Sequence, residues 1–222
     1  MSSPSLPEIT PPIEDYLKAI YTVARESDDG RASTSAIADR MDVSAASATN
    51  MMQRLAEMKL VDYVPYKGTS LTTAGEKIAL EVIRHHRLLE LYLAEALGFS
   101  WDAVHDEAER LEHVISEEFE DRIDAMLGHP TIDPHGDPIP PKSGAMPAET
   151  LRPLSDAEVG ESVTVRRVSD RNGDRLRQLA AMGLVPGADV EILDRDEATL
   201  TVEIEDEAVS VGSDLARGVF VD

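Results

Sequence analysis

The chain has 222 residues, more than one typical domain needs, and its 42% apolar residues can bury sizeable cores although aromatics make up only 4%. It holds no cysteine, which excludes disulfides, thiolate metal sites and cysteine nucleophiles. Its 43 acidic residues against 21 basic ones leave a net charge of -22 spread along the chain, the balance expected of a halophile, whose salt screens self-repulsion. The first 80 residues are relatively spared, with 8 basic against 11 acidic residues, so a negatively charged partner can be met there. No apolar run approaches the roughly 20 residues of a membrane span. The start, "MSSPSLPEIT", lacks the basic and apolar regions of a signal peptide, so a soluble cytoplasmic protein is expected.

After a Pro/Ser-rich start expected to be mobile, Thr10-Pro11 reads as the N-cap and first residue of a helix to about Arg25. Ile13, Leu17, Ile20, Tyr21 and Ala24 give it one apolar stripe. "TSAIADRMDVSAASATNMMQRLAEMKLV" follows as a short helix, a tight turn at residues 42–44 and a second helix. "LVDYVPYKGTSLT" then alternates as two strands joined at Tyr66-Lys67-Gly68, and Thr73 with Glu76 reads as a capping box opening the next helix. This order predicts a winged helix–turn–helix over residues 1–73, whose second helix would enter the major groove. Ser44 caps that helix. Ala46, Ser47 and Asn50 share the face opposite the expected core residues Val43, Ala48, Met52 and Leu55, and they suit base edges. Lys67 at the wing tip suits a phosphate. A helical hairpin with a merely polar surface is the plainer alternative.

Residues 74–97 and 102–127 read as two long helices. On the second, Val104, Ala108, Leu111, Ile115 and Phe119 form the apolar stripe. His105, Glu109, Glu112 and His113 form another stripe about 100° around the helix. On the first, His86 lies within the apolar stripe and Glu90 at its edge, a pairing at i, i+4 that can grip one divalent ion. Burying such carboxylates unpaired would be costly, which favours a cation between the helices. His85, His129 and His135 read as surface or linker residues. Asp106, Glu107, Arg110, Glu117, Glu120 and Asp121 read as a solvated face.

"GHPTIDPHGDPIPPKSGAMPAET" is proline-rich and reads as an extended connection. The helical domain is set at residues 74–142 and the linker at 143–150. Over residues 151–222, "VGESVTVRRV", "ADVEILDR", "TLTVEIED" and "AVSVG" alternate as short strands around one helix, "GDRLRQLAAMG", which predicts a small β-barrel.

These segments, in this order, resemble the diphtheria-toxin-repressor family of metal-dependent transcriptional repressors. "EDYLKAIYTV" is similar to that family's first helix, and "HRLLELYLAEALG" with "VHDEAERLEHVISEEFEDRI" to its metal-binding and dimerisation helices. "DPHGDPIP" resembles its linker turn, and "RLRQLAAMGLVPGADVEI" its SH3-like domain. The resemblance implies a mainly α protein with a C-terminal SH3-like β-barrel, acting as a homodimer on a palindromic double-stranded DNA operator and not as an enzyme. It implies a primary metal site at Asp15, Glu109, Glu112 and His113, and an ancillary site at His86, Glu90 and His105.

The iron-sensing branch has Met and Cys at the positions of Asp15 and Glu109. Carboxylates there resemble the manganese-sensing branch, and Mn²⁺ prefers hard oxygen ligands. Mn²⁺ is therefore the expected corepressor for control of metal uptake, with Fe²⁺ as the alternative. Lys18 replaces a second Glu of the binuclear manganese sensors. In the C-terminal domain Asn172 and Arg175 replace the family's Glu and Gln donors, leaving Asp170 or Asp174 as substitutes. A carboxylate-bridged di-metal enzyme would want a Glu-x-x-His motif from each of two helices, and this chain has none. A metal-storage protein would not need a wing.

Overall fold

The computed structural model describes residues 9–27, 29–144, 146, 150–169 and 172–222. Residues 1–8 of the start expected to be mobile over 1–9, Asp170, and residues 145 and 147–149 of the expected linker lie outside the described residues, while Ile9 packs against the first core. The chain divides into two compact units, residues 1–85 with 142–144 and residues 86–141 with 145–222. No helix among the described residues is long and apolar enough to cross a membrane.

In the first unit, α1 (Pro11–Arg25) starts on a proline whose fixed φ suits the first helical turn. Thr10 is its N-cap residue without a side-chain capping bond. The helix buries Ile13, Tyr16, Leu17, Ala19 and Ile20, whereas Tyr21 and Ala24 are only partly covered. α2 (Thr34–Arg40) and α3 (Ala45–Glu57) are capped by the Ser33 and Ser44 hydroxyls, and Asp42 turns the chain between them at φ 50°. Ala48, Met52 and Leu55 enter the core. Val43 does not, contrary to expectation, and is 38% exposed. It precedes the N-cap and so stands outside the helical phase that turns the other three inward.

β1 (Val61–Val64) and β2 (Gly68–Leu71) form the antiparallel wing, with Val64 opposite Gly68, and Ala32 pairs with Thr69 on its other edge. α4 (Thr73–Glu95) follows. Its cap lies one residue earlier than expected: Thr72 Oγ1 accepts from the Gly75 N–H at 3.2 Å. Gly75 has to be glycine here, because a Cβ would stand 2.0 Å from the Leu60 carbonyl oxygen.

In the second unit, Leu88, Leu89 and Leu93 of α4 pack with Val104, Ala108, Ile123 and Ile139. The expected single helix over 102–127 is instead two, α5 (Val104–Leu111) and α6 (Glu117–Met126). Neither Gly nor Pro makes the break. The Ser116 hydroxyl accepts from the Phe119 N–H and starts a new helix, the competition with helix continuation that a serine offers. The apolar stripe consequently splits: Val104 and Ala108 are buried, while Phe119 is 42% exposed. Glu120, expected in the solvated face, is buried.

The C-terminal domain carries β3 (Arg152–Pro153), β4 (Ser162–Val168), α7 (Gly173–Ala181), β5 (Asp189–Arg195), β6 (Thr199–Ile204), β7 (Glu207–Gly212), α8 (Ser213–Ala216) and β8 (Val219–Val221). The strand order is β3-β8-β4-β5-β6-β7, so the sheet is open with β3 and β7 at its edges, and the expected closed barrel is corrected. Its core is aliphatic, built from residues such as Val165, Leu176, Leu184, Val202 and Val219, with Trp101 packed against it.

Candidate metal centre

Helical spacing brings His86 and Glu90 one turn apart on α4, and His105 and Glu109 one turn apart on α5. Glu112 is the C-cap of α5, and His113 lies in the turn after it. His86, Glu90 and Glu112 are buried, and Glu90 is 0% exposed rather than at an edge. His86 Nδ1 lies 2.5 Å from Glu112 Oε2, and its Nε2 lies 3.0 Å from Glu90 Oε1. His105 Nδ1 is 3.1 Å from the same Glu90 oxygen. Glu109 Oε1 is 3.9 Å from His86 Nδ1 and 3.9 Å from His105 Nε2, and His113 Nε2 is 3.4 Å from Glu112 Oε1. The expected primary and ancillary residues of this unit therefore form one contiguous cluster. Asp15 is on α1 of the other unit and is partly exposed.

A second ligand set was missed in the sequence. His135, read as a linker residue, is 0% exposed, and Asp133 is buried with it. Both belong to the tight turn of "DPHGDPIP", which is not an extended connection. His85, read as surface, is also buried, whereas His129 is exposed. His135 Nε2 donates to the Trp101 carbonyl at 3.0 Å. That bond sets the tautomer and leaves Nδ1 on the side of Glu90, 3.8 Å from Oε2. Glu90, Asp133 and His135 each present one ligand atom within 4.8 Å of the others, as do His86, His105 and Glu109. Glu90 Oε2 and Asp133 Oδ2 are buried and accept no hydrogen bond among the described residues, although Arg87 Nε stands 3.7 Å from the latter. A buried carboxylate oxygen without a donor costs free energy that a cation offsets.

The electrostatics agree with a site built for positive charge. Burial acts to raise the Glu90 carboxyl, but the His86 charge and hydrogen bonds from the surrounding imidazoles outweigh it and hold the group well below the usual carboxylate range. Asp133 goes the other way. Burial, then the Glu90 and Asp137 charges, push it well above its ordinary value, against Arg87 and His135. Protons thus compete with an ion for Asp133. Affinity for a divalent ion is therefore expected to fall as pH is lowered, by about one decade per pH unit for each proton displaced. Calorimetric Mn²⁺ titrations between pH 5 and pH 8 on the wild type and on Asp133→Asn check this, and equal affinity of the two at every pH would exclude Asp133 as a ligand.

The donor set is carboxylate and imidazole, hard to borderline, which suits Mn²⁺ and Fe²⁺ better than ions that favour sulfur. Of the C-terminal candidates, Asp170 lies outside the described residues, and the others have partners within their own domain. Asn172 Oδ1 caps α7 by accepting from the Arg175 N–H, and Arg175 pairs with Asp214. Asp174 pairs with Arg177.

On the first unit, Ser44, Ala46, Ser47, Asn50 and Lys67 are all exposed. Ser44 Oγ also lies 2.9 Å from Ser47 Oγ, so these two hydroxyls work as a pair. A groove of about 1110 Å³ is lined by Thr34 of α2, Thr49 and Gln53 of α3, and Tyr66 and Lys67 of the wing, among others. Tyr66, at the wing tip with φ 65°, is the most exposed large apolar residue described and was read in the sequence only as part of the turn.

Three family descriptions match in succession. "Iron dependent repressor, N-terminal DNA binding domain" covers residues 8–69, "Iron dependent repressor, metal binding and dimerisation domain" residues 72–141, and "FeoA domain" residues 152–222. The iron-dependent repressor IdeR of Mycobacterium bovis is 31% identical over 97% of this chain and 98% of its own. The HTH-type transcriptional regulator MntR of Oceanobacillus iheyensis is 37% identical over 54% of this chain and 80% of its own. A solved structure described as a manganese-dependent transcriptional repressor in complex with manganese superposes with a TM-score of 0.87, at 41% identity over 94% of this chain and 98% of that one.

Proposed function

The chain belongs to the iron-dependent repressor family of metal-dependent transcriptional repressors, and from that premise we propose that Mn²⁺ is its corepressor, with Fe²⁺ as the second candidate. It is a DNA-binding regulator and not an enzyme. The observation that carries the metal assignment is the donor set: two imidazoles and several carboxylates converge on α4 and α5 with no sulfur ligand among them. The manganese-dependent neighbour supports the same reading.

In this proposal residues 1–73 read DNA through Ser44, Ala46, Ser47, Asn50 and Lys67. Residues 74–142 bind metal and dimerise, residues 143–150 link, and residues 151–222 form the SH3-like domain. His86, Glu90 and His105 make the ancillary set. Glu109, Glu112 and His113 make the primary set, which Asp15 completes by resemblance. Glu90, Asp133 and His135 add a third set at the buried turn. The bound ion supplies a divalent charge that neutralises these carboxylates. In its absence Asp15, Glu109 and Glu112 repel one another, which favours an open state, and only preferential binding to the closed state can shift that balance. The protein works in the cytoplasm on operators of metal-uptake genes, and a palindromic operator would match a two-fold dimer. The second copy is expected on the apolar groove of about 420 Å³ lined by Leu97, Val114 and Phe119, whose side chains are exposed in the single chain.

The test is operator binding with Mn²⁺, Fe²⁺, Co²⁺ and Zn²⁺ in parallel, on the wild type and on His113→Ala. Mn²⁺ should activate the wild type most strongly relative to its affinity order, and the variant should lose metal-dependent binding. An operator shift by His113→Ala with Mn²⁺ would sink the primary-site assignment.

A further inference from the structure

The turn that carries Asp133 and His135 is closed on itself and then gripped from two sides. Asp133 Oδ1 accepts from the His135 N–H at 2.8 Å and the Asp137 N–H at 2.9 Å, and the Asp133 N–H donates to the Asp137 carbonyl at 2.9 Å. From the helical side, Arg87 of α4 donates through Nη2 to Asp137 Oδ1 at 3.0 Å and through Nη1 to the Pro138 carbonyl. From the sheet side, Arg167 of β4 donates through Nη1 to the same Asp137 oxygen at 3.3 Å. Its guanidinium carbon lies 4.2 Å from the centre of the Phe220 ring. The Val168 N–H donates to the His135 carbonyl at 2.9 Å. Gly136 adopts φ 88° and lies so close to β4 that a Cβ would stand 2.0 Å from the Arg166 carbonyl oxygen.

One carboxylate thus joins two arginines that come from different layers. Asp137 is only 15% exposed and its two partners are 18% and 27% exposed, so the pairs are screened far less than surface ion pairs. Without Asp137, Arg87 and Arg167 would face each other as like charges, and the turn would keep the Val168 N–H bond to the His135 carbonyl and the bond from Trp101 Nε1 to the Pro134 carbonyl at 2.9 Å, from a ring that packs on the sheet core. None of the three residues is in the proposed ligand sets, and none faces DNA in the first unit.

We propose that Asp137 is a positioning residue, a latch that docks the C-terminal sheet on the ligand-bearing turn and thereby couples docking to metal uptake by Glu90, Asp133 and His135. The proposal rests on the reading of those three as ligands. A turn held in register by the sheet presents Asp133 and His135 together, and an ion bound to both stiffens the turn on which the sheet is docked. Such coupling is reciprocal: whatever docking adds to metal affinity, the metal adds to docking.

Amide hydrogen exchange on the full chain reads this directly, because the Val168 N–H crosses the joint while the Val165 N–H donates to the Ala188 carbonyl inside the sheet domain at 2.8 Å. MnCl₂ should slow exchange at Val168 and leave Val165 unchanged. Asp137→Ala should speed exchange at Val168 but not Val165, abolish the Mn²⁺ effect there, and weaken Mn²⁺ binding roughly ten- to hundredfold, the range for residues that orient ligands. Unchanged Val165 exchange shows that the variant is folded. Wild-type Val168 protection and Mn²⁺ affinity in Asp137→Ala would overturn the latch. Asp133→Asn, titrated in parallel, separates the two failures. Full Mn²⁺ affinity in that variant would overturn the ligand reading, and the coupling with it. Weak binding there beside wild-type behaviour of Asp137→Ala would overturn the latch alone.

Discussion

Replacing Glu90 with Gln is expected to abolish Mn²⁺-dependent operator binding in a chain that still folds. Glu90 is where the two buried ligand sets meet. Its Oε1 faces His86 Nε2 at 3.0 Å and His105 Nδ1 at 3.1 Å, while its Oε2 faces His135 Nδ1 at 3.8 Å. Carboxylates and imidazoles alternate without a gap from His113 through Glu112, His86 and Glu90 to His135. The amide of Gln keeps the shape and can still hydrogen-bond, but it is neutral and gives a cation nothing comparable to a carboxylate oxygen. Both sets lose their shared anion, so the Mn²⁺ concentration for half-maximal operator binding should rise by on the order of a hundredfold or more. Asp133→Asn, which touches one set only, should fall between the variant and the wild type.

The same substitution should also change how stability depends on pH in the metal-free chain. The Glu90 carboxyl is held below its unfolded value, so its contribution to folding is present above about pH 4 and fades as pH falls. Asp133 is raised, so above the same pH it disfavours the folded state until a cation compensates. Removing Glu90 deletes the favourable member of this pair and eases the unfavourable one, because the Glu90 charge is among the causes that raise Asp133. Metal-free Glu90→Gln should therefore show a flatter profile of melting temperature against pH than the wild type. A variant that retains Mn²⁺-dependent operator binding at wild-type concentrations would place the centre elsewhere.

What could be read in the sequence followed from helical periodicity. The spacing 86/90 and 105/109 placed four ligand candidates correctly on two helices, because i, i+4 pairs share a face wherever the helix is continuous. Local hydrogen bonds went unread. Ser116 ends the long helix by capping a new one, and Thr72 takes over the cap expected from Thr73, both through hydroxyls whose choice between helix and turn periodicity does not register. The larger omission was the burial of "DPHGDPIP", given as a turn only by resemblance. Its prolines argue for an extended segment, yet Asp133 accepts two backbone N–H groups and folds the stretch into a buried turn, which turns His135 from a linker residue into a ligand candidate. An Asp two residues before His and four before another Asp was the available signal for such a turn. In the sheet domain, β3, α8 and β8 span two to four residues each and carry too little alternation to be seen, and the open edges could not be inferred without them.

Glu109→Cys should reverse the order in which metals activate the protein. Glu109 is one turn after His105 on α5, and its carboxylate lies 3.9 Å from a nitrogen of each of His86 and His105, with the side chain 41% exposed. It is the most open member of the cluster, so a substitution there disturbs packing least and ligand chemistry most. A thiolate in place of a carboxylate replaces a hard donor with a soft one. Affinity for Mn²⁺ should fall roughly ten- to hundredfold, while Co²⁺ and Zn²⁺, which accept sulfur, should lose little or gain. Operator binding titrated with each metal gives the order directly. The natural chain has no cysteine, so the introduced thiol is a unique reporter. If it ligates, Zn²⁺ should protect it from alkylation at neutral pH, and acidification should remove that protection as protons displace the ion. An unchanged preference for Mn²⁺ together with a thiol alkylated at the same rate with and without metal would exclude Glu109 from the centre and remove ligand hardness as the reason for the manganese assignment.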